Sequence, residues 1–162
     1  MQIQHYPDTH PKFQEAQHYG LQQLSDVDGE GIIDHEAFDF SKEVFLAVTD
    51  DQIAGFLLVA EDGLLEKLAK DNLFEPQSLD GLLIQQLFVD PAFRKQGIAS
   101  QLLKRVEQLQ EDLFLYVSDK NQVAKKFYAQ KGFQAIGVYE APKHNGFTDF
   151  KAYLLKKPIK KL

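Results

Sequence analysis

Cysteine is absent from the 162 residues, so the chain has no disulfide, no thiolate metal site and no cysteine nucleophile, a composition that suits a reducing cytosol. No apolar run is long enough to cross a bilayer: the longest mainly apolar stretch, 53–60, falls well short of the ~20 residues a spanning helix needs. The first residues, MQIQHYPD, lack a basic region followed by an apolar stretch, so no secretory leader is read there. A soluble cytoplasmic protein with no membrane partner is the expectation. Positive charge is also in deficit. With 18 Lys and Arg against 24 Asp and Glu, the formal charge of -6 argues against a sequence-independent grip on nucleic acid, and an acidic surface favours a cationic acceptor such as an amine. The five histidines show no helical metal-ligand spacing, so no metal is implied. Neither G-x-G-x-x-G nor Gly-Lys followed by Ser or Thr occurs, which removes the fingerprints of dinucleotide folds and P-loop nucleotide hydrolases.

What is present is enough for one domain over 1–162. A chain of this length buries roughly two thirds of its unfolded surface, and a hydrophobic fraction of 44% with 12% aromatics carries no signature of disorder. Repeats, low-complexity segments and linkers are all missing.

The informative stretch is 82–100, LLIQQLFVDPAFRKQGIAS. Pro91 cannot donate to a ladder, so an apolar strand stops near Asp90. Ile98, Leu102, Val106 and Leu109 then recur at helical spacing, which packs one face of a helix onto a sheet. Between strand and helix, Gly97 lets the amides from Lys95 to Ser100 approach and converge on a ligand. Those amides have no partner in the first helical turn and the helix dipole adds positive charge there, so a pyrophosphate would satisfy them.

Around it, strands are expected at 1–6, 44–49, 53–60, 113–117, 133–139 and 147–155, with helices at 11–24 and from Asn121 to Gly132. On the first helix Phe13, Ala16, Gln17, Gly20, Leu21 and Leu24 sketch a stripe. Asp50-Asp51-Gln52 reads as a hairpin turn, and Ser118 or Asp119 as the cap of the last helix. The segment 62–81 is long for a turn, and Leu64, Leu65, Leu68 and Ala69 suggest a short helix inside it. A dimer contact, a lid over an acceptor and surface decoration are its three readings. The lysines 156, 157, 160 and 161 read as a solvated tail.

Arg94 to Ala99 spells R-x-x-G-x-A after Val89-Asp90-Pro91. About twenty residues on come Asn121, Ala124 and Phe127-Tyr128, then Gly132-Phe133. Two such motifs in this order, separated by one helix and one strand, resemble the signature of the GCN5-related N-acetyltransferases. The resemblance implies an α/β layered fold with a mixed, mostly antiparallel central sheet of six to seven strands, splayed between the fourth and fifth and flanked by helices. It also implies acetyl-CoA as cosubstrate and transfer of its acetyl group to the amine of a small molecule or protein by direct attack. On that reading the main chain of Leu87, Phe88 and Val89 pairs with the pantetheine arm. Arg94, Lys95, Gln96, Gly97, Ile98, Ala99 and Ser100 hold the pyrophosphate, Asn121 and Ala124 meet the cofactor, and Tyr128 protonates the leaving sulfur. Residues 25–40, with Asp26, Asp28, Glu30, Asp34, His35 and Glu36, correspond to a wall of the acceptor site.

No base stands out. Many relatives place a glutamate on the central strand, where this chain has Gln85 and Gln86. Asp90, Asp119, His35, Glu36, Glu140 and His144 are candidates, each with an ordinary structural reading as cap, turn or solvated residue. A non-catalytic acyl-CoA sensor or interaction module is the alternative reading, and it would need the cofactor site without the phenol. Transfer to a hydroxyl or of a longer acyl chain would need a stronger base or a wider pocket.

Overall fold

Among the described residues the β-rich runs of the sequence become strands separated by four helices. A computed structural model describes residues 1–24, 37–141 and 150–160. Chain order is β1 (Gln2–Pro7), α1 (Pro11–Leu24), β2 (Ser41–Thr49), β3 (Gln52–Ala60), α2 (Leu64–Ala69), β4 (Leu82–Val89), a 3-10 turn (Pro91–Phe93), α3 (Ile98–Glu107), β5 (Leu113–Ser118), α4 (Gln122–Gln130), β6 (Gln134–Ala141) and β7 (Phe150–Lys157). Two compact units make up the chain: Met1–Asp62 with Ile84–Gln110, and Gly63–Leu83 with Glu111–Leu162.

In the first unit β1, β2, β3 and β4 form an antiparallel ladder, with Gln4 opposite Leu46, Leu46 opposite Phe56 and Phe56 opposite Phe88. The β2–β3 turn is tighter than the sequence suggested. Gln52 already pairs with Thr49, so only Asp50 and Asp51 turn the chain, both with positive φ (49° and 60°), as a two-residue hairpin requires. Because side chains alternate along a strand, the ladder sorts into two faces. Val44, Leu46, Phe56, Leu58 and Phe88 pack with Phe13, Ala16 and Phe38 beneath α1. Phe45 and Leu57, fully buried, point the other way, where the Arg105 guanidinium of α3 lies 5.6 Å from the Phe45 ring centre.

Helix α3 buries Ile98, Leu102 and Val106 as its spacing predicts, together with Leu103, which the stripe did not include. Leu109 falls beyond the end of the helix. On α1 the buried line runs through Phe13, Ala16 and Gly20, the last tight against the Phe38 ring. Leu21, expected in that stripe, is 42% exposed because it is turned about 100° from Gly20 around the helix.

The second unit has β5, β7 and β6 in that order, antiparallel, with Tyr116 and Gly137 both opposite Leu154. Leu113, Phe114, Leu115 and Val117 are buried, as expected for an interior strand covered on both faces. Strand β7 runs to Lys157, two residues past its expected end, and the expected positions 147–149 lie outside the described residues. Strand number, antiparallel pairing and flanking helices agree with the layered α/β fold expected.

The 62–81 segment contains the expected short helix, α2, and then does something composition did not suggest. Val138 N–H donates to the Asn72 carbonyl (2.9 Å), Phe74 N–H donates to the Ile136 carbonyl (3.0 Å), and Leu73 bridges Gly137 in antiparallel register. Residues 72–74 therefore cover the outer edge of β6, whose main-chain groups would otherwise be open to pairing with another chain. A glycine is required there: a Cβ at Gly137 would run into the Asn72 carbonyl oxygen. Gly137→Val is expected to cost about 1–3 kcal/mol, as overpacking does. Urea unfolding measures it, and an unchanged midpoint would remove the role given to this contact.

Candidate active site

The turn after β4 is held from four sides at Asp90, all within the first unit. Its N–H donates to the Ala54 carbonyl (2.8 Å) and its carbonyl accepts from Phe93 N–H (2.8 Å). One carboxylate oxygen accepts from Ala92 N–H (2.9 Å) and the other from the Tyr19 hydroxyl (2.7 Å). Pro91 opens the 3-10 turn where its missing N–H is no loss. Arg94 is exposed and extended, and its Nε donates back to the Val89 carbonyl at 3.3 Å.

Two residues then take left-handed backbone, Lys95 (φ 63°) and Gly97 (φ 76°). Gly97 is the N-cap of α3 and has no side chain with which to cap it. The helix's ladder begins with Gln101 N–H donating to the Gly97 carbonyl (3.1 Å), so the amides of Ile98, Ala99 and Ser100 have no intrahelical acceptor. Buried Ile98 roots the turn in the core while Lys95, Gln96 and Gly97 stay exposed. No heavy atom lies within 4 Å of where a Gly97 Cβ would stand. Glycine serves here through its positive φ, and the space beside it is open. Uncapped amides, a dipole end and open space suit an anion with several acceptor oxygens, such as a pyrophosphate.

Phe88 has a core side chain, 7% exposed in the α1-side cluster, while Leu87 is half-buried and points to the opposite face. Gln86, alternating with Phe88, is on the α1 side, and Gln85 falls at a β-bulge, where β4 skips from Gln86 to Ile84 against Leu58 and Val59.

In the second unit α4 presents Asn121, Ala124 and Tyr128 along one face. The cap is Asn121 and not Ser118 or Asp119: its side-chain oxygen accepts from Ala124 N–H at 3.1 Å, because the first helical residue is Gln122. Capping uses the carbonyl oxygen of Asn121, which leaves its amide N–H groups as donors for another partner. Asp119 instead pairs with Lys125 at 3.2 Å. Tyr128 is wedged edge-on between Phe127 (5.3 Å) and Phe133 (5.4 Å), and burial pushes its phenol up to about 12.

Two tyrosines escaped the sequence reading. Tyr19 has its phenol held up by burial and then by Asp90. Tyr116 on β5 has a buried hydroxyl with no hydrogen-bond partner among the described residues, and burial, followed by the charge of Tyr139, pushes it up to about 12. The available signal was a phenol inside an apolar pattern, which needs a partner that the sequence does not name. Of the candidate bases, Asp90 and Asp119 are engaged as described, Glu140 is exposed, and His35, Glu36 and His144 lie outside the described residues, as do the other acidic residues of 25–36. Among the described residues no three His, Asp or Glu side chains are grouped to hold a metal ion.

The family model of the acetyltransferase (GNAT) domain matches residues 41–135, more than half of the chain and both motif regions. The chain belongs to the GNAT acetyltransferase family. It is therefore an N-acetyltransferase that draws on acetyl-CoA. The uncharacterized N-acetyltransferase YafP of Escherichia coli (strain K12) is 30% identical over 117 residues, 66% of this chain and 75% of that protein. Among solved structures, Arabidopsis thaliana Naa50 with the bisubstrate analogue CoA-Ac-MVNAL has a TM-score of 0.63 at 19% identity, covering 97% of this chain and 99% of that one. The ribosomal-protein-S18-alanine N-acetyltransferase of Escherichia coli has a TM-score of 0.61 at 16% identity, covering 99% and 96%. At such identities these two structures share the GNAT fold with this chain.

Proposed function

We propose that the chain, acting as a single domain over 1–162, transfers the acetyl group of acetyl-CoA to a primary amine of a small molecule or protein by direct attack. The observation that carries this reading is the uncapped, left-handed entry to α3 at Gly97. Acetyl-CoA supplies the acetyl group as an activated thioester. The amides from Gln96 to Ser100, with Arg94 and Lys95 beside them, hold the pyrophosphate. Main chain at Leu87, Phe88 and Val89 pairs with the pantetheine arm. The Asn121 amide donates to the cofactor, and Ala124 permits its close approach.

Tyr128 keeps its proton at neutral pH and gives it to the departing sulfur. Neither Gln85 nor Gln86 can take a proton there, so solvent water receives the amine's proton, and proximity supplies much of the acceleration. A peptide amine fits as acceptor by analogy with Naa50, whose bound analogue joins CoA to a peptide. The absence of cysteine suits the cytoplasm, and the charge of -6 fits a cationic acceptor in place of nucleic acid. No described helix is long and apolar enough to cross a membrane, and no membrane partner enters the proposal.

The test is release of free CoA from acetyl-CoA in the presence of a panel of amines, polyamines, aminoglycosides and peptides with free N-termini. Acceptor-dependent release is expected. Tight CoA binding without release for any member would favour the sensor reading.

A further inference from the structure

Asp90 sits four residues before Arg94 and seven before Gly97, so whatever fixes Asp90 fixes the root of the anion-binding turn. Three of its four hydrogen bonds are local or run to β3: Ala54, Ala92 and Phe93. The fourth comes from Tyr19, seventy-one positions away on α1, and is the shortest at 2.7 Å. The Tyr19 ring is located independently of that bond, edge-on to Phe56 (6.3 Å, 86°) and to Phe88 (6.3 Å, 60°). It acts as a fixed donor held by the core and aimed at the carboxylate.

That aim has an electrostatic consequence. A carboxylate at the base of a turn that receives a pyrophosphate repels it, and a donor sharing the negative charge lessens the repulsion. We infer that Tyr19 is a positioning residue for the cofactor turn: its hydroxyl orients Asp90 and draws off charge, so that the Gln96–Ser100 amides meet a pyrophosphate in register. The inference rests on the reading of that turn as the pyrophosphate cradle. It assigns a role in acetyl-CoA recognition to a helix that carries none of the motif residues.

Calorimetric titration of the full chain with CoA and with pantetheine, which lacks both phosphates of the pyrophosphate, separates the two ideas. Wild type should bind CoA far more tightly than pantetheine. Tyr19→Phe keeps the ring in its aromatic cage and should weaken CoA binding about tenfold without changing pantetheine binding, while the thermal midpoint falls only by the loss of one hydrogen bond to a charged group. Because Tyr19 acts through Asp90, the same change made in an Asp90→Ala background should cost nothing further. Unchanged CoA affinity in Tyr19→Phe, or an equal loss in both backgrounds, overturns the role of Tyr19 while leaving the cradle intact. Equal wild-type affinity for CoA and pantetheine overturns the cradle itself.

Discussion

Replacing Gly97 by glutamate is expected to weaken CoA binding at least about a hundredfold. Two effects add. A side chain at φ 76° pays roughly 1–2 kcal/mol for left-handed backbone. The larger effect is chemical: a carboxylate enters the open space beside Gly97, at the positive end of the α3 dipole, and repels an incoming phosphate from the uncapped amides. A carboxylate at the positive end of the α3 dipole recovers only part of the backbone cost, so the thermal midpoint should fall modestly while affinity collapses. Gly97→Ala, whose Cβ meets nothing within 4 Å, carries only the backbone cost and should lose about tenfold or less. Calorimetric titration distinguishes the two variants, and unchanged affinity in the glutamate variant would contradict the cradle.

Tyr128→Phe should lower kcat about a hundredfold, the lower range for loss of a general acid, with CoA affinity within about twofold of wild type. The ring stays between Phe127 and Phe133, so packing is retained and only the hydroxyl is lost. The pH dependence follows from the direction of the shift. A donor must be protonated to act, and burial pushes this phenol up to about 12, so its contribution to kcat stays flat through neutral and mildly alkaline pH. It fades only as pH approaches that value. Equal kcat for Tyr128→Phe and wild type across active acceptors would remove the phenol from the chemistry.

Local pattern carried much of the fold and the motif positions. Ile98, Leu102 and Val106 are buried on α3 because a helical period read from sequence is also the period of contact, and Pro91 ends β4 by chemistry that needs no tertiary context. The expectations that missed turned either on exact position along a helix or on contacts between distant residues. Which residue caps α4 depends on whether the helix starts at Gln122 or two to three positions earlier, a shift that leaves the hydrophobic pattern nearly unchanged. Leu21 belongs to the apolar stripe by type but not by angle. The covering of β6 by residues 72–74 needs main-chain bonds that any side chains there could accompany, and only Gly137 in the sequence hinted at a close approach. The Tyr19–Asp90 bond joins positions with no shared period at all.

The most direct measurement is an amide-resolved NMR titration of the full chain with CoA. The account predicts that the largest shifts fall on the backbone N–H groups of Gln96, Gly97, Ile98, Ala99 and Ser100, and that pantetheine leaves those five nearly unmoved. Saturating CoA binding with these five resonances unperturbed would contradict it.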